Sequence, residues 1–250
     1  MMSKTTARAL LRGIEKHQIT ALGEAISILE NNSSLKSKLL NSFKNTSSHG
    51  YAIGITGSTG SGKSTLIAAL AKVMRRNQKT VAVVAVDPTS PKTGGAFLGD
   101  RVRMQELAED PGVFIRSMAS RGAHGGVARS TQEVVKLLLK AGYDLVLVET
   151  VGAGQLDYDV TKFVDLTLLV LTPEAGDEIQ FMKGGLRELT NAFVVNKADR
   201  PGAEHMENFL KRSEANTPIF KTIAEQKKGI DPLYRFILSE KQKAKLRRKN

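Results

Sequence analysis

The clearest chemical signal in the chain is GSTGSGKST, residues 57–65. It satisfies G-x-x-x-x-G-K-[ST] at Gly57, Gly62, Lys63 and Ser64. An apolar run precedes it and a helical segment follows, which is the context the motif requires. Glycines let successive backbone N–H groups turn inward around an anion. Gly57, Ser58, Thr59, Gly60, Ser61, Gly62, Lys63, Ser64 and Thr65 are therefore a candidate cradle for nucleoside triphosphate phosphates. Lys63 would reach the β- and γ-phosphates, and the Ser64 hydroxyl is placed for Mg2+. A plain Gly-rich turn opening a helix does not account for the full match in this setting.

Two further groups extend this chemistry. In VLVETVGAGQ (146–155) an apolar run meets Glu149, with Gly152 three places on. A carboxylate there can hold Mg2+ through water, and the glycine amide can feel a γ-phosphate; most GTP-binding switches carry Asp at the first of these positions. NKAD (196–199) also ends an apolar run, at the sheet edge where such folds bind ligands. An Asp199 carboxylate can accept from both N1–H and N2–H2 of guanine. Adenine lacks that donor pair and would leave the carboxylate unpaired. Asn196 can brace the loop, and the Lys197 stem can lie along the base. Four residues alone are a weak match, but their position downstream of the phosphate loop and Glu149 favours guanine.

The elements that must position these groups are short apolar runs alternating with helical patterns. Runs at 51–56, 81–86, 113–117, 145–149, 166–171, 192–196 and 219–223 read as strands. Most are apolar throughout, which predicts strands covered on both faces and a mainly parallel sheet. Helices are expected over 63–77, 127–141, 178–190 and 230–246. Residues 4–44 read as helix with a break at NNSS (31–34), on the spacing of Leu22, Ile26 and Leu29 and of Leu35, Leu39 and Phe43. The expectation is an α/β fold, a three-layer α/β/α P-loop NTPase behind an N-terminal helical hairpin. It divides into a helical extension (1–48), a GTPase domain (49–240) and a basic tail (241–250).

Composition narrows the partners. The chain has 250 residues, 41% hydrophobic and without cysteine. That excludes disulfides and thiolate metal sites, and it fits a reducing compartment. No run approaches the roughly 18 apolar residues of a membrane span. Arg8, Arg12, Leu10 and Leu11 hint at a mitochondrial presequence, but Glu15 and Glu24 argue against it; a cytoplasmic location is expected. Half of the +12 charge lies in the last ten residues, KQKAKLRRKN, which hold six Lys/Arg and no acid. A solvated helix end explains them better than nucleic-acid binding, because no stacking aromatics interleave the charges.

The chain resembles the ArgK/MeaB family of P-loop GTPases, in the metallochaperone-type branch. The resemblance rests on VAVDPTSPKTGGAFLGDRVRM (84–104), GGVAR (125–129), ETVGAGQ (149–155), EAGDEIQFMKGG (174–185) and VVNKAD (194–199). It spans about residues 8–238, and it makes Glu149 the mark of a branch within GTPase chemistry. It implies metal or first-switch roles for Asp87 and Asp100, beside Ser64 and Glu149. On the residues alone, Asp87 could as well cap a strand end and Asp100 cap a helix. The resemblance places the second switch at Gly152–Asp157 and a third at GDEIQFMKGG, whose Lys183 would sense phosphate charge; by pattern alone Lys183 is a solvated lysine.

The same resemblance implies slow Mg2+-dependent GTP hydrolysis and a GTP/GDP cycle. It implies that this cycle gates and protects an adenosylcobalamin-dependent acyl-CoA mutase of the methylmalonyl-CoA type. Lys63, Glu149, Gly152 and Lys183 would carry catalysis. Ala153 stands where small GTPases place a water-orienting Gln, so acceleration by a partner is expected. Departures are also visible. The guanine loop usually reads Ser-Ala and here reads Ile223-Ala224, although the Ala224 amide can still meet guanine O6. Leu156-Asp157 replaces the usual Ser-Glu. The chain ends soon after the last helix, which leaves a homodimer open but without the family's C-terminal arm. Two other functions fit less well. A nickel-type metallochaperone would need a metal-gathering cluster, but His17, His49, His124 and His205 are scattered. A small-molecule kinase would need a base for its acceptor. A module that binds without hydrolysing is the third alternative.

Overall fold

The structure is a computed structural model that describes residues 4–31, 35–42, 49–87, 104–119, 124–150, 152, 155–174 and 185–247. All seven expected strands form: β1 (Tyr51–Thr56), β2 (Val81–Asp87), β3 (Val113–Ala119), β4 (Leu145–Glu149), β5 (Leu166–Leu171), β6 (Ala192–Val195) and β7 (Ile219–Lys221). They make one sheet in the order β3-β2-β4-β1-β5-β6-β7. Every pairing is parallel. Between them run α4 (Lys63–Arg76), α5 (Gln105–Ala108), α6 (His124–Lys140), α7 (Gln155–Thr161) and α8 (Ala203–Ser213), and α9 (Ile230–Arg247) follows β7. Ahead of them lie α1 (Lys4–Glu15), α2 (Ile19–Glu30) and α3 (Lys36–Ser42).

Successive strand residues point to opposite faces, and both faces are covered. Tyr51, Ile53 and Ile55 of β1 join Leu145 and Leu147 of β4 against Leu66, Leu70 and Met74 of α4 and Leu233 and Ile237 of α9. Ala52, Val84, Val146 and Val148 face the other way, onto Val134 and Leu138 of α6 and onto Leu22, Ile26 and Leu29 of α2. A third cluster sets Leu169, Leu171, Phe193 and Val195 against Met206 and Leu210 of α8. Two-sided burial is why these strands read as unbroken apolar runs.

The N-terminal helices contain a corner that the pattern does not show. Residues 16–18 turn between α1 and α2, with His17 at φ 55°. A Cβ on Gly13 would lie 2.6 Å from the Ala21 Cβ, so the two helices approach closely through the missing side chain. His17 stacks on Tyr143 at 4.2 Å, and its Nε2 lies 2.9 Å from the Ala141 carbonyl. The Lys36–Glu133 pair at 2.7 Å links α3 to α6. The helix expected over 178–190 lies largely outside the described residues. Its described end is a 3-10 turn, Arg187–Leu189, entered through Gly185 at φ 80°. The Thr190 hydroxyl closes that turn on the Leu186 carbonyl.

Candidate nucleotide site

The phosphate loop leaves β1 and enters α4 at the carboxyl edge of the sheet. Its path depends on glycine. Gly57, Gly60 and Gly62 have φ of 141°, 83° and 89°. A Cβ at Gly57 would sit 2.1 Å from the Val170 carbonyl oxygen, and one at Gly62 would sit 2.4 Å from Asn196 Nδ2. Lys63, 7% exposed, donates from Nζ to the carbonyls of Gly57 and Ser58, both at 2.8 Å. The ammonium is thus folded back over the loop that it serves. Ser58 is partly buried, and Thr59 and Gly60 form the exposed rim.

Behind the loop, Ser64 and Glu149 meet. The Ser64 hydroxyl donates to Glu149 Oε1 at 2.6 Å, and the carboxylate is 6% exposed. β4 lies beside β1 with Ile55 opposite Glu149. That register carries the last residue of β4 to the first turn of α4. Hydroxyl and carboxylate oxygens are the hard donors that Mg2+ takes. Asp87 closes β2 two residues beyond Ala85, the partner of Glu149, and so shares this sheet edge. Asp100 and Lys183 lie outside the described residues.

The second loop is braced from inside. Asn196, 2% exposed, donates from Nδ2 to the Ser61 carbonyl at 2.9 Å. Its Oδ1 accepts from Thr222 Oγ1 at 3.0 Å and from the Ala224 amide at 3.2 Å. One side chain therefore ties the phosphate loop to both halves of the expected base pocket. Lys197, at φ 55°, donates from Nζ to the Gly60 carbonyl at 2.8 Å. Asp199 is exposed and lines a cavity with Gly62, Thr65, Asn196, Lys197 and Ala224. The exposed Asp199 carboxylate in that lining is an acceptor suited to two adjacent N–H donors.

The structure adds residues that motif reading passed over. Thr222 supplies a hydroxyl brace one place before Ile223, on the loop where Ser was expected and is missing. Asp157, fully buried, accepts through Oδ1 from Thr56 Oγ1 at 2.8 Å, from Thr150 Oγ1, and from the Gly152 amide at 3.2 Å. The only trace of this in the sequence is an acid in the second switch, in a first helical turn. Nothing in the spacing places the two threonines around it. Gly152 itself, at φ 77°, lies against the phosphate loop; a Cβ there would be 2.0 Å from the Gly57 carbonyl oxygen.

A parallel sheet with a glycine loop between its central strand and the next helix, and polar groups along its carboxyl edge, is the P-loop NTPase fold. The crystal structure of LAO/AO transport system kinase superposes with a TM-score of 0.78 at 24% identity, over 97% of this chain and 77% of that one. The family described as methylmalonyl Co-A mutase-associated GTPase MeaB matches residues 22–249, and the chain belongs to it. It is a GTPase of the ArgK/MeaB type. The GTPase ArgK of Escherichia coli is 34% identical over 257 residues, covering 96% of this chain and 78% of its own. A Pyrococcus horikoshii relative is 41% identical over 244 residues, covering 93% of this chain and 77% of its own. Among the described residues no helix is long and apolar enough to cross a membrane.

Proposed function

We propose that this GTPase works with Mg2+ as a slow switch, and that its GTP/GDP cycle gates cofactor loading of an adenosylcobalamin-dependent acyl-CoA mutase and protects that mutase. The observation that carries the switch chemistry is the buried contact of Ser64 with Glu149, 2.6 Å, directly after Lys63. Mg2+ held by Ser64 and Glu149 would neutralise charge on the β- and γ-phosphates. Lys63 would leave its two carbonyl partners and place its ammonium on the same oxygens. Amides of residues 57–65 would cradle the chain of phosphates and orient the terminal one. Asp199 would read the guanine N1–H and N2–H2, and the Ala224 amide, now on Asn196 Oδ1 at 3.2 Å, would turn from it to meet O6. Asp87 and Asp100 would complete the metal surroundings, and Lys183 would report phosphate charge to the partner. Ala153 stands where small GTPases place a water-orienting Gln, so hydrolysis would wait on that partner.

The mutase half of the reading is supported by the family's own description. The test is GTP hydrolysis by the full chain with Mg2+, alone and with an adenosylcobalamin mutase from the same cell. A slow basal rate, raised by the mutase and lost on chelation, is expected. Hydrolysis that no cobalamin mutase alters would end the partner assignment; failure to cleave GTP in a single turnover would end the switch.

A further inference from the structure

We infer that Asp157 is a positioning residue that lowers affinity for GTP relative to GDP, by holding the Gly152 N–H that a γ-phosphate would otherwise draw. This rests on the switch reading above. Asp157 sits in the first turn of α7, with no exposure to solvent. Its Oδ1 accepts from three donors: Thr56, the residue before the phosphate loop; Thr150, the residue after Glu149; and the amide of Gly152. Gly152 is pressed onto the loop, since a Cβ would meet the Gly57 carbonyl oxygen at 2.0 Å.

An amide has one hydrogen, and full donation to one acceptor excludes another. GDP makes no demand on the Gly152 N–H. GTP does, and must take it from a carboxylate that is already in place. The three bonds are also unequal. Thr56 donates at 2.8 Å, whereas Gly152 donates at 3.2 Å. The amide is the looser of the two and can leave while the hydroxyls keep the buried carboxylate satisfied, which avoids the cost of an orphaned acceptor. Asp157 thus stands in for the terminal phosphate while it is absent, and hands over one bond when it arrives. Because the same oxygen grips Thr150, the handover is felt next to Glu149.

The test compares affinities for GDP and a non-hydrolysable GTP analogue, with Mg2+, for the full-length wild type, Asp157→Asn and Asp157→Glu. An amide oxygen accepts less strongly than a carboxylate, so Asp157→Asn should raise the analogue-to-GDP affinity ratio by about three- to tenfold. Asp157→Glu keeps the charge and should hold the ratio near wild type. An unchanged ratio in Asp157→Asn, or equal loss of both ligands, would mean that the carboxylate is only structural and would overturn the inference. If Asp157→Asn does not fold, the Gly152 amide resonance of the wild type decides. It should move with the analogue and stay with GDP; movement with both, or with neither, refutes the proposal. A wild type that binds neither nucleotide would sink the switch reading itself, and this inference with it.

Discussion

Asn196 Nδ2 donates to the Ser61 carbonyl oxygen at 2.9 Å, joining residues 135 apart in sequence. The phosphate loop and the base loop are thereby tied together, with Gly62 passing so close that a Cβ would fall 2.4 Å from the Asn196 amide nitrogen. Asn196→Ala would strand the Ala224 amide and the Thr222 hydroxyl without their shared acceptor. A stability loss of about 1–3 kcal/mol is expected, together with weaker binding of GTP and GDP alike. Thermal denaturation and nucleotide titration check this; undiminished affinity for both would show that the clamp is dispensable.

Base choice is expected to rest on Asp199. Asp199→Asn replaces one acceptor with a donor and should weaken GTP by about 1–3 kcal/mol. Xanthosine triphosphate, whose C2 oxygen accepts the new donor, should gain affinity. Competition between the two triphosphates measures the exchange, and a mutant that still prefers GTP as strongly as wild type removes guanine reading from this residue.

Glu149→Ala separates binding from chemistry. GDP affinity should stay near wild type, since Lys63 and the loop amides supply the phosphate contacts. Mg2+-dependent hydrolysis should drop tenfold or more, on the order of the loss of a preorganised charge-stabilising group. Wild-type turnover in the mutant would make Glu149 a structural partner of Ser64 and nothing else.

Alkaline pH should loosen the seat of the N-terminal helices. Burial pushes the Tyr143 hydroxyl up to about 12. The charged form is disfavoured in the fold, so the unfolded chain gives up this proton first, from its ordinary value near 10 upward. Stability from this group is complete below about pH 10 and is lost as pH rises toward about 12, by up to about 1.4 kcal/mol per pH unit. Tyr143→Phe keeps the stacking on His17 and should flatten that decline. Denaturation midpoints at pH 9 and pH 11 for both proteins decide it; equal declines would exclude Tyr143 as the source.

The motifs and strands were legible because they are local. A loop that wraps phosphate must carry glycines where φ is positive and a lysine at a set distance, so GSTGSGKST shows its chemistry in nine consecutive residues. Strands buried on both faces are apolar at nearly every position, so most of them appear as apolar runs, while β3 keeps Arg116 and Ser117 and the half-exposed β7 keeps Lys221. NKAD and Glu149 announce themselves at strand ends for the same reason. The corner at 16–18 was not legible, because it depends on Gly13 meeting Ala21 across two helices and on His17 finding Tyr143. Thr222 was not legible as a site residue either, and Asp157 was legible only as the end of a switch span taken from the resemblance, without its partners. A hydroxyl or a carboxylate has no period and no motif of its own, and its part depends on which donors and acceptors the fold brings within 3 Å or so. The sequence alone determined the sheet, the ligand class and the chemistry at hand. The tertiary structure alone decided that Asn196 would lock one loop to the other, and that Asp157 would gather Thr56, Thr150 and Gly152 around one buried oxygen.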